Sequence, residues 1–372
     1  MKKISLHGFG LFSDKSLRKK YQAGEVIFKP HDPSNHIYIV VEGKLRFSMY
    51  GNDVDFFTTG DLFGEMGVVE NRPRHGLVTA VTNCTLILIS RPHFDTLIRE
   101  QPDFATRVMA IISTRLHRRT KIELKKRSLE RELAIGHKMQ LALLPQTTPQ
   151  IPGWQFATHY RSAWQVGGDF YDFIVRDDDP SKLCLVIADV TGKGVPAALL
   201  MAVARTLLRA ETRKGQSAAD VVQRVNEVIT NDNRSPLFLS TLYAILNVES
   251  GLLQYASAGH DPPFRLRHDT KEIEVLPSSG FLLGAFSGVS FSQQEATLAV
   301  GDVLLLYTDG VTEARDKHGR FFGDARLREA ILASADGSAE EIVSGVVTAV
   351  HNFIGSATQS DDLTMVVAKR LS

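Results

Sequence analysis

The pattern of apolar residues changes at Pro145, and this change limits the possible folds more than any other feature of the sequence. Between residues 24 and 89, short apolar runs separated by glycine and proline turns recur every roughly 8 to 12 residues, which is typical of an all-β roll or barrel. Helical patterns follow, and the last runs from Asp103 to Leu144. After Pro149, strand patterns alternate with helical patterns, which predicts an α+β sandwich with α/β/β/α layers.

This change of pattern and the length of 372 residues predict two domains joined by a helical linker. We expect the β domain, with its C-terminal helices, to span residues 1–119, the linker 120–150 and the α+β domain 151–372. Lysine and arginine number 43 against 42 acidic residues, so the net charge indicates neither a nucleic acid nor a membrane as a partner.

The sequence also has the features of a soluble cytoplasmic protein. Residues 1–10 lack the apolar core of a signal peptide, and no apolar run approaches the ~20 residues that span a bilayer. Cys84 and Cys184 lie in separate apolar runs. This placement predicts buried thiols in a reducing compartment rather than a disulfide or a thiolate metal site.

The linker helix is strongly basic. Between Arg115 and Glu132, eight lysines and arginines stand against three glutamates. Its apolar heptad is interrupted at Arg119, Lys126 and Gly136, so a long permanent coiled coil is not expected. Three interpretations stay open: a solvated linker, a helix that forms a homodimer and transmits a signal, and a nucleic-acid-binding patch. We expect the homodimer, because an interrupted seam allows two packings of similar energy between which a ligand can choose.

A glycine-bearing turn in the β domain carries groups that suit a phosphate. It places the carboxylate of Glu65 nine positions before the guanidinium of Arg74. Free N–H groups at a helix start favour an anion, and an arginine can form a bidentate pair with phosphate oxygens. A glutamate can accept hydrogen bonds from a ribose hydroxyl. The alternative is a barrel without a ligand, in which Glu65 and Arg74 pair with each other.

From about Phe12 to Arg119 the sequence resembles the cyclic nucleotide-binding domain family. Two short motifs match that family's phosphate-binding cassette and two match its barrel turns: Phe63-Gly64-Glu65, Pro73-Arg74, Gly24-Glu25 and Gly43-Lys44-Leu45.

The resemblance implies a role for each residue of the cassette. Arg74 would hold the cyclic phosphate and Glu65 the 2′-hydroxyl, while Gly64 and Met66 would contribute backbone groups. His75 is a departure, because family members often have a small or hydroxyl residue there, but it can still donate to the phosphate. The cassette also has Leu77 in place of a hydroxyl associated with guanine preference, so cyclic AMP is expected as the regulatory ligand rather than cyclic GMP.

Four aspartates in the α+β domain stand at strand ends or beside glycine turns: Asp169, Asp189, Asp309 and Asp361. A single Asp-Gly is more often a turn former than a ligand, but four in this pattern are harder to explain in that way. Clustered carboxylates repel one another unless a cation lies among them. Oxygen ligands without a nearby histidine and cysteine set favour Mg²⁺ or Mn²⁺ over zinc.

The segment from about Glu132 to Arg370 resembles the metal-dependent type 2C protein phosphatases, and within them the branch of stage II E sporulation and stress-response phosphatases. The motifs that carry the resemblance follow in the family's order: Asp169-Phe170-Tyr171-Asp172, Asp189-Val190-Thr191-Gly192-Lys193-Gly194, Gly259-His260-Asp261-Pro262-Pro263, Thr308-Asp309-Gly310 and Asp361-Asp362-Leu363-Thr364.

The resemblance implies a site with two divalent ions. Asp189 would bridge them, the Val190 carbonyl would complete one, and Asp309 and Asp361 would hold the other. Asp169 would bind an ion either directly or from just outside its ligands.

Three further groups lie in or near these motifs. We expect a structural role for His260 rather than general-acid catalysis. Arg161 and Lys193 are the candidates for the cation that holds the substrate phosphate.

The sequence thus predicts a metal-dependent serine/threonine phosphatase regulated by a cyclic nucleotide, with a phosphorylated anti-sigma-factor antagonist as the substrate that the family suggests. One alternative is a cyclic-nucleotide-responsive DNA-binding regulator. A carboxylate-rich domain follows the helix where that class has a helix-turn-helix, which speaks against it. The other alternative is a catalytically silent scaffold.

Overall fold

The computed structural model describes Leu11 and residues 14–176, 178–214, 216–232 and 236–372. The expectations for residues 1–10, for Phe12 and for the side chain of Arg119 lie outside the described part. The chain divides into two compact units, one up to Ser128 and the other from Leu129. Each unit is built around its own apolar core.

The first unit contains two antiparallel sheets of four strands among its described residues, preceded by a single 3-10 turn at Lys15–Leu17. The strand orders are β1-β8-β3-β6 and β2-β7-β4-β5, and side chains from both sheets share one apolar cluster. The strands are β1 (Arg18–Tyr21), β2 (Val26–Phe28), β3 (His36–Glu42), β4 (Lys44–Met49), β5 (Asn52–Thr58), β6 (Leu62–Phe63), β7 (Leu77–Ala80) and β8 (Cys84–Ser90). The all-β prediction for this region is confirmed.

Three helices accompany these strands: α1 (Glu65–Val69), α2 (Arg91–Glu100) and α3 (Pro102–Leu143). The helix expected from Asp103 to Leu144 is confirmed to within one residue at each end, and Pro145 lies two residues after it. The division between the units falls inside α3. The side chains of Leu116 and Leu129, two of the apolar positions of the interrupted heptad, are 63% and 56% exposed in the single chain.

The second unit is a sandwich of two five-stranded antiparallel sheets with helices on its outer faces. The orders are β10-β11-β12-β13-β16 and β15-β14-β17-β18-β9. The strands are β9 (Trp154–Arg161), β10 (Phe170–Val175), β11 (Lys182–Val190), β12 (Leu239–Asn247), β13 (Leu252–Ala258), β14 (Phe264–Leu266), β15 (Ile273–Val275), β16 (Gln293–Thr297), β17 (Val303–Tyr307) and β18 (Leu363–Arg370). The predicted α/β/β/α layering is confirmed.

Helices cover both sheets of this unit. They are α4 (Val195–Thr212), α5 (Ala218–Asp232), α6 (Asp309–Thr312), α7 (Gly323–Ala333) and α8 (Ala339–Ile354). The pair α4 and α5 packs on the first sheet, and α8 packs on β9 and β18 of the second. The main core joins both sheets, for example Leu185 of β11 and Leu306 of β17. This packing fixes the strand ends that carry the predicted aspartates.

Two expectations about the chain's surroundings can be compared with the structure. Cys84 and Cys184 are free and buried, as predicted. Within the described ranges, no helix combines the length and the apolar character needed to cross a bilayer.

Candidate functional site

Strand pairing brings the four predicted aspartates to neighbouring strand ends. Asp169 immediately precedes β10, and the pairing of Phe170 with Ala188 places it beside Asp189 near the end of β11. Asp309 starts α6 two residues after β17, and Asp361 lies two residues before β18, the strand paired with β17. Each sheet of the sandwich therefore supplies one pair of acids.

Asp169 joins the two pairs. Its side chain is buried, and its Oδ2 accepts hydrogen bonds from the hydroxyls of Thr308 at 2.7 Å and Thr364 at 2.5 Å, both from the opposite sheet. Burial, followed by the charges of Asp189 and Asp362, raises the pKa of Asp169 well above its usual value. The carboxyl group is thus held at the centre of an acidic environment.

The neighbouring acids Asp189 and Asp309 also have raised pKa values. Burial, with the charge of Asp361 among smaller causes, raises the pKa of Asp189 to about 6. Burial, with the charges of Asp189 and Asp361, raises the pKa of Asp309 to about 7. Asp261, which had no predicted role, also raises the pKa of both carboxyl groups. Mutual repulsion of this kind is what a bound divalent cation relieves.

A glycine loop brings backbone close to the acids. A Cβ on Gly168 would lie 2.7 Å from the carbonyl oxygen of Val190, the predicted backbone ligand. A Cβ on Gly167 would collide with the carboxylate of Asp362. Only glycine therefore fits at these two positions, and the Val190 carbonyl lies within the acidic site.

Two residues that the sequence did not single out hold this loop. The carboxylate of Asp362 accepts from the N–H groups of Ala163 and Gly168, each at 2.7 Å. The amide of Gln140, in α3, donates to the carbonyl of Gly167 at 2.6 Å and accepts from its N–H at 3.0 Å. Both residues position the backbone that precedes Asp169.

The donor set has the chemistry of a site for a hard divalent cation. Carboxylate oxygens and one backbone carbonyl are the ligands that Mg²⁺ and Mn²⁺ prefer. Among the described residues, no three His, Cys, Asp or Glu side chains already converge as ligands of one ion. Asp169 is engaged by two threonines, and Asp361 pairs with Lys193 at 3.0 Å. The oxygen ligands suit Mg²⁺ and Mn²⁺, but the side chains of Asp169 and Asp361 are bonded to other residues in this arrangement.

The remaining predicted residues of this unit are placed as follows. His260 is buried, with Nδ1 2.7 Å from the hydroxyl of Ser240, and burial lowers its pKa to about 4. It is neutral at physiological pH, in line with the structural role favoured by the sequence. Arg161 contacts Nε2 of His351 at 2.9 Å, whereas Lys193 contacts Asp361.

In the first unit, all five residues predicted to bind the nucleotide line one cavity of about 270 Å³. The cavity wall is otherwise largely aromatic and apolar. Gly64 starts α1 with a φ of +78°, and a Cβ there would lie 2.8 Å from Nη1 of Arg74, so this turn requires glycine. The five residues are Gly64, Glu65, Met66, Arg74 and His75.

Glu65 and Arg74, which the ligand-free alternative expected to pair with each other, have other partners. Arg74 is buried and donates to the carbonyls of Gly64 at 2.6 Å and His36 at 2.5 Å, while its Nε has no partner among the described residues. Glu65 pairs instead with Arg115 of α3 at 2.9 Å. Burial lowers the pKa of Arg74. A buried guanidinium with an unused N–H, facing a cavity, is suited to an anionic ligand.

Comparison with known proteins gives two family matches. Residues 179–371 match the family model of Stage II sporulation protein E (SpoIIE), and residues 18–101 match that of the cyclic nucleotide-binding domain.

Individual relatives agree with these matches. Protein IcfG of Synechocystis sp. is 33% identical over 266 residues, which cover 64% of this chain and 41% of IcfG. Phosphoserine phosphatase RsbU of Bacillus subtilis is 29% identical over 242 residues, which cover 65% of this chain and 71% of RsbU. The chain thus spans less than half the length of IcfG. The SiaA-PP2C domain of Pseudomonas aeruginosa has the same fold, with a TM-score of 0.59 at 20% identity over 67% of this chain and 99% of that domain.

Proposed function

The chain belongs to the Stage II sporulation protein E (SpoIIE) family, and from that premise we propose that it is a protein serine/threonine phosphatase that requires Mn²⁺ or Mg²⁺. The observation that carries the proposal is the acidic site between the two sheets. Burial and the charges of neighbouring carboxylates raise the pKa values of Asp169, Asp189 and Asp309 there, beside the Val190 carbonyl.

Each acid has a proposed role toward two divalent ions. Asp189 would contact both ions and the Val190 carbonyl one of them, while Asp309 and Asp361 would hold the other, with Asp169 adjacent. When bound, the ions would supply activation of water and screening of the phosphate charge. The contacts of Asp362 and Gln140 keep the loop before Asp169 in place. His260, neutral and bonded to Ser240, would have a structural role and would not act as a general acid.

The proposed substrate is a phosphoserine or phosphothreonine on a regulatory protein, in particular an anti-sigma-factor antagonist. The relative RsbU is named a phosphoserine phosphatase, and this name supports cleavage of a phosphoserine ester bond.

A cyclic nucleotide, cyclic AMP rather than cyclic GMP, is the proposed regulatory ligand. Arg74 would bind the cyclic phosphate and Glu65 the 2′-hydroxyl, with Gly64, Met66 and His75 completing the contacts. The match to the cyclic nucleotide-binding family and the unused Nε of Arg74 support this role.

We also propose how the chain is organised and assembled. The domain limits of 1–119 and 151–372, with 120–150 as the linker, remain proposals. A homodimer through α3 is proposed because the apolar side chains of Leu116 and Leu129 are exposed in the single chain.

Hydrolysis of p-nitrophenyl phosphate by the full chain, with Mn²⁺ and with Mn²⁺ plus EDTA, tests the enzyme proposal. Activity is expected only with free Mn²⁺. Asp309→Asn is expected to keep the fold and lose most of the activity, because an amide cannot balance the charge of a divalent ion. Wild-type turnover of this variant at saturating Mn²⁺ would remove Asp309 from the site. No activity from the wild-type chain would favour the silent scaffold.

Calorimetric titration with cyclic AMP and cyclic GMP tests the sensor proposal. Arg74→Ala is expected to weaken binding by about 2–4 kcal/mol, the effect of losing one side of a desolvated, charge-assisted pair. Arg72→Ala is the matched control, because the Arg72 side chain is 69% exposed. Absence of wild-type binding at millimolar ligand would contradict the proposal.

A further inference from the structure

A short loop after β11 presents a lysine to the acidic site. Lys193 lies between Gly192 and Gly194, whose φ angles are +87° and +75°, and Gly194 caps the start of α4. The ammonium of Lys193 donates to the carbonyl of Ser360 at 2.5 Å and to Oδ2 of Asp361 at 3.0 Å. A residue 168 positions away in the sequence thus receives this side chain at the edge of the site.

The contact between Lys193 and Asp361 places a cation beside a group of acids. The groups that shift the pKa of Asp309 through charge are acids: Asp189, Asp361, Asp261 and Glu313. The other candidate for the phosphate-binding cation, Arg161, is directed to His351. Lys193 is therefore the better placed of the two predicted cations to meet an anion at the acids.

The side chain and the loop differ in their freedom to move. Lys193 and Asp361 are 41% and 44% exposed, so the flexible four-carbon stem of the lysine can change partner without disturbing a core. The loop backbone is held by the two glycine conformations and by the start of α4. A change of charge at Asp361 would therefore move the ammonium rather than the loop.

We propose that Lys193 is a substrate-binding residue. Its ammonium pairs with Asp361 until a divalent ion binds that carboxylate, and it then binds the phosphate of the substrate. The inference rests on the proposed function, because it assumes that Asp361 ligates an ion. A carboxylate engaged by a divalent cation no longer attracts a second cation beside it. The phosphate dianion is then the anionic partner within reach of the released ammonium.

The test uses Lys193→Gln and Lys193→Arg in the full chain, with Lys182→Gln as the control. Lys182 stands at the opposite end of β11 and forms a pair of similar exposure with Asp179, at 2.9 Å. Two quantities are measured by calorimetry without turnover: the affinity for Mn²⁺, and the affinity for inorganic phosphate at saturating Mn²⁺. The KM and kcat for p-nitrophenyl phosphate are measured in parallel.

Lys193→Gln is expected to change the two affinities in opposite directions. Mn²⁺ binding becomes tighter by up to about fivefold, because the ion no longer displaces an exposed ion pair. Phosphate binding weakens by about 10- to 100-fold, the effect of losing a charged hydrogen bond, and KM rises with it. Lys193→Arg keeps the charge and retains more phosphate affinity than Lys193→Gln, and Lys182→Gln behaves as wild type.

Two results would overturn the inference. One is an unchanged phosphate affinity in Lys193→Gln, which would make the contact an ordinary surface pair. The other is weaker Mn²⁺ binding in that variant, which would mean that Lys193 supports the site. If the wild-type chain fails to hydrolyse the ester, the proposed enzyme function fails, and the two calorimetric affinities still decide the role of Lys193.

Discussion

Replacing Gln140 by alanine tests how the second unit holds Asp169 in place. Gln140 lies in the last turn of α3 and is 4% exposed. Its amide makes hydrogen bonds to both the carbonyl and the N–H of Gly167, two residues before Asp169. The loop before Asp169 is thus attached to α3 through the amide nitrogen and the amide oxygen of the Gln140 side chain.

The magnitude follows from these two contacts. In Gln140→Ala the N–H and carbonyl of Gly167 stay in a buried position without this partner, and each such group costs about 1–3 kcal/mol. Allowing for partial rehydration, we expect the free energy of unfolding to fall by about 2–3 kcal/mol, or about 4–12 °C in the melting temperature of a unit of this size. Loss of a residue that orients a ligand typically weakens metal affinity by about 10- to 100-fold.

The assay combines thermal unfolding in EDTA with the Mn²⁺ dependence of p-nitrophenyl phosphate hydrolysis. Gln146→Ala is the matched control, because Gln146 also donates two hydrogen bonds, to the carbonyls of Leu141 and Leu144, without contact to the loop. The control is expected to keep the wild-type Mn²⁺ curve. A wild-type curve from Gln140→Ala would refute the reasoning, whatever its melting temperature.

Two further predictions concern pH and helix stiffness. Asp309, with its pKa raised to about 7, carries a proton at low pH that an ion must displace. The calorimetric dissociation constant for Mn²⁺ should therefore rise about tenfold or more from about pH 8 to about pH 6, and a flat profile would contradict the assignment. In Gly136→Ala the new methyl meets Val166 at 3.8 Å, an ordinary contact, so the helix should gain up to about 1 kcal/mol. A lower melting temperature would be evidence against this, and a smaller activity response to cyclic AMP is expected.

In the second unit, the sequence predicted the long inner strands and missed the short inner strand β14 and the edge strands. Continuous apolar runs marked β11, β17 and β18, because strands buried on both faces read as such runs. The edge strands β9 and β16 gave no such signal. Gln293–Thr297 has no fully buried side chain and is ordered by pairing with β13, and Trp154–Arg161 mixes buried and exposed positions. Their conformation depends on a neighbouring strand and not on their own composition.

The acids of the candidate site could be predicted from the sequence, but the residues that hold the loop before Asp169 could not. Aspartates after apolar runs and beside glycines form a local pattern, and strand pairing then brings them together. Asp362 and Gln140 act on a loop that is 194 and 27 positions away, so no local pattern reveals their role. The doublet with Asp361 was the available signal for Asp362, and its backbone contacts could not be read from spacing.

Polar contacts in both halves of α3 show that the helix is more than a solvated linker. Arg115 begins the basic stretch for which a solvated linker is one of three interpretations, and in the structure it pairs with Glu65 in the cavity of the first unit. A ribose hydroxyl that binds Glu65 must share that carboxylate with Arg115, so a nucleotide would act on α3 directly. At its other end, α3 contacts Gly167 through Gln140. The proposed regulation through this helix would therefore use one polar contact in each unit, Glu65 with Arg115 and Gly167 with Gln140, and would not depend on an interrupted apolar seam alone.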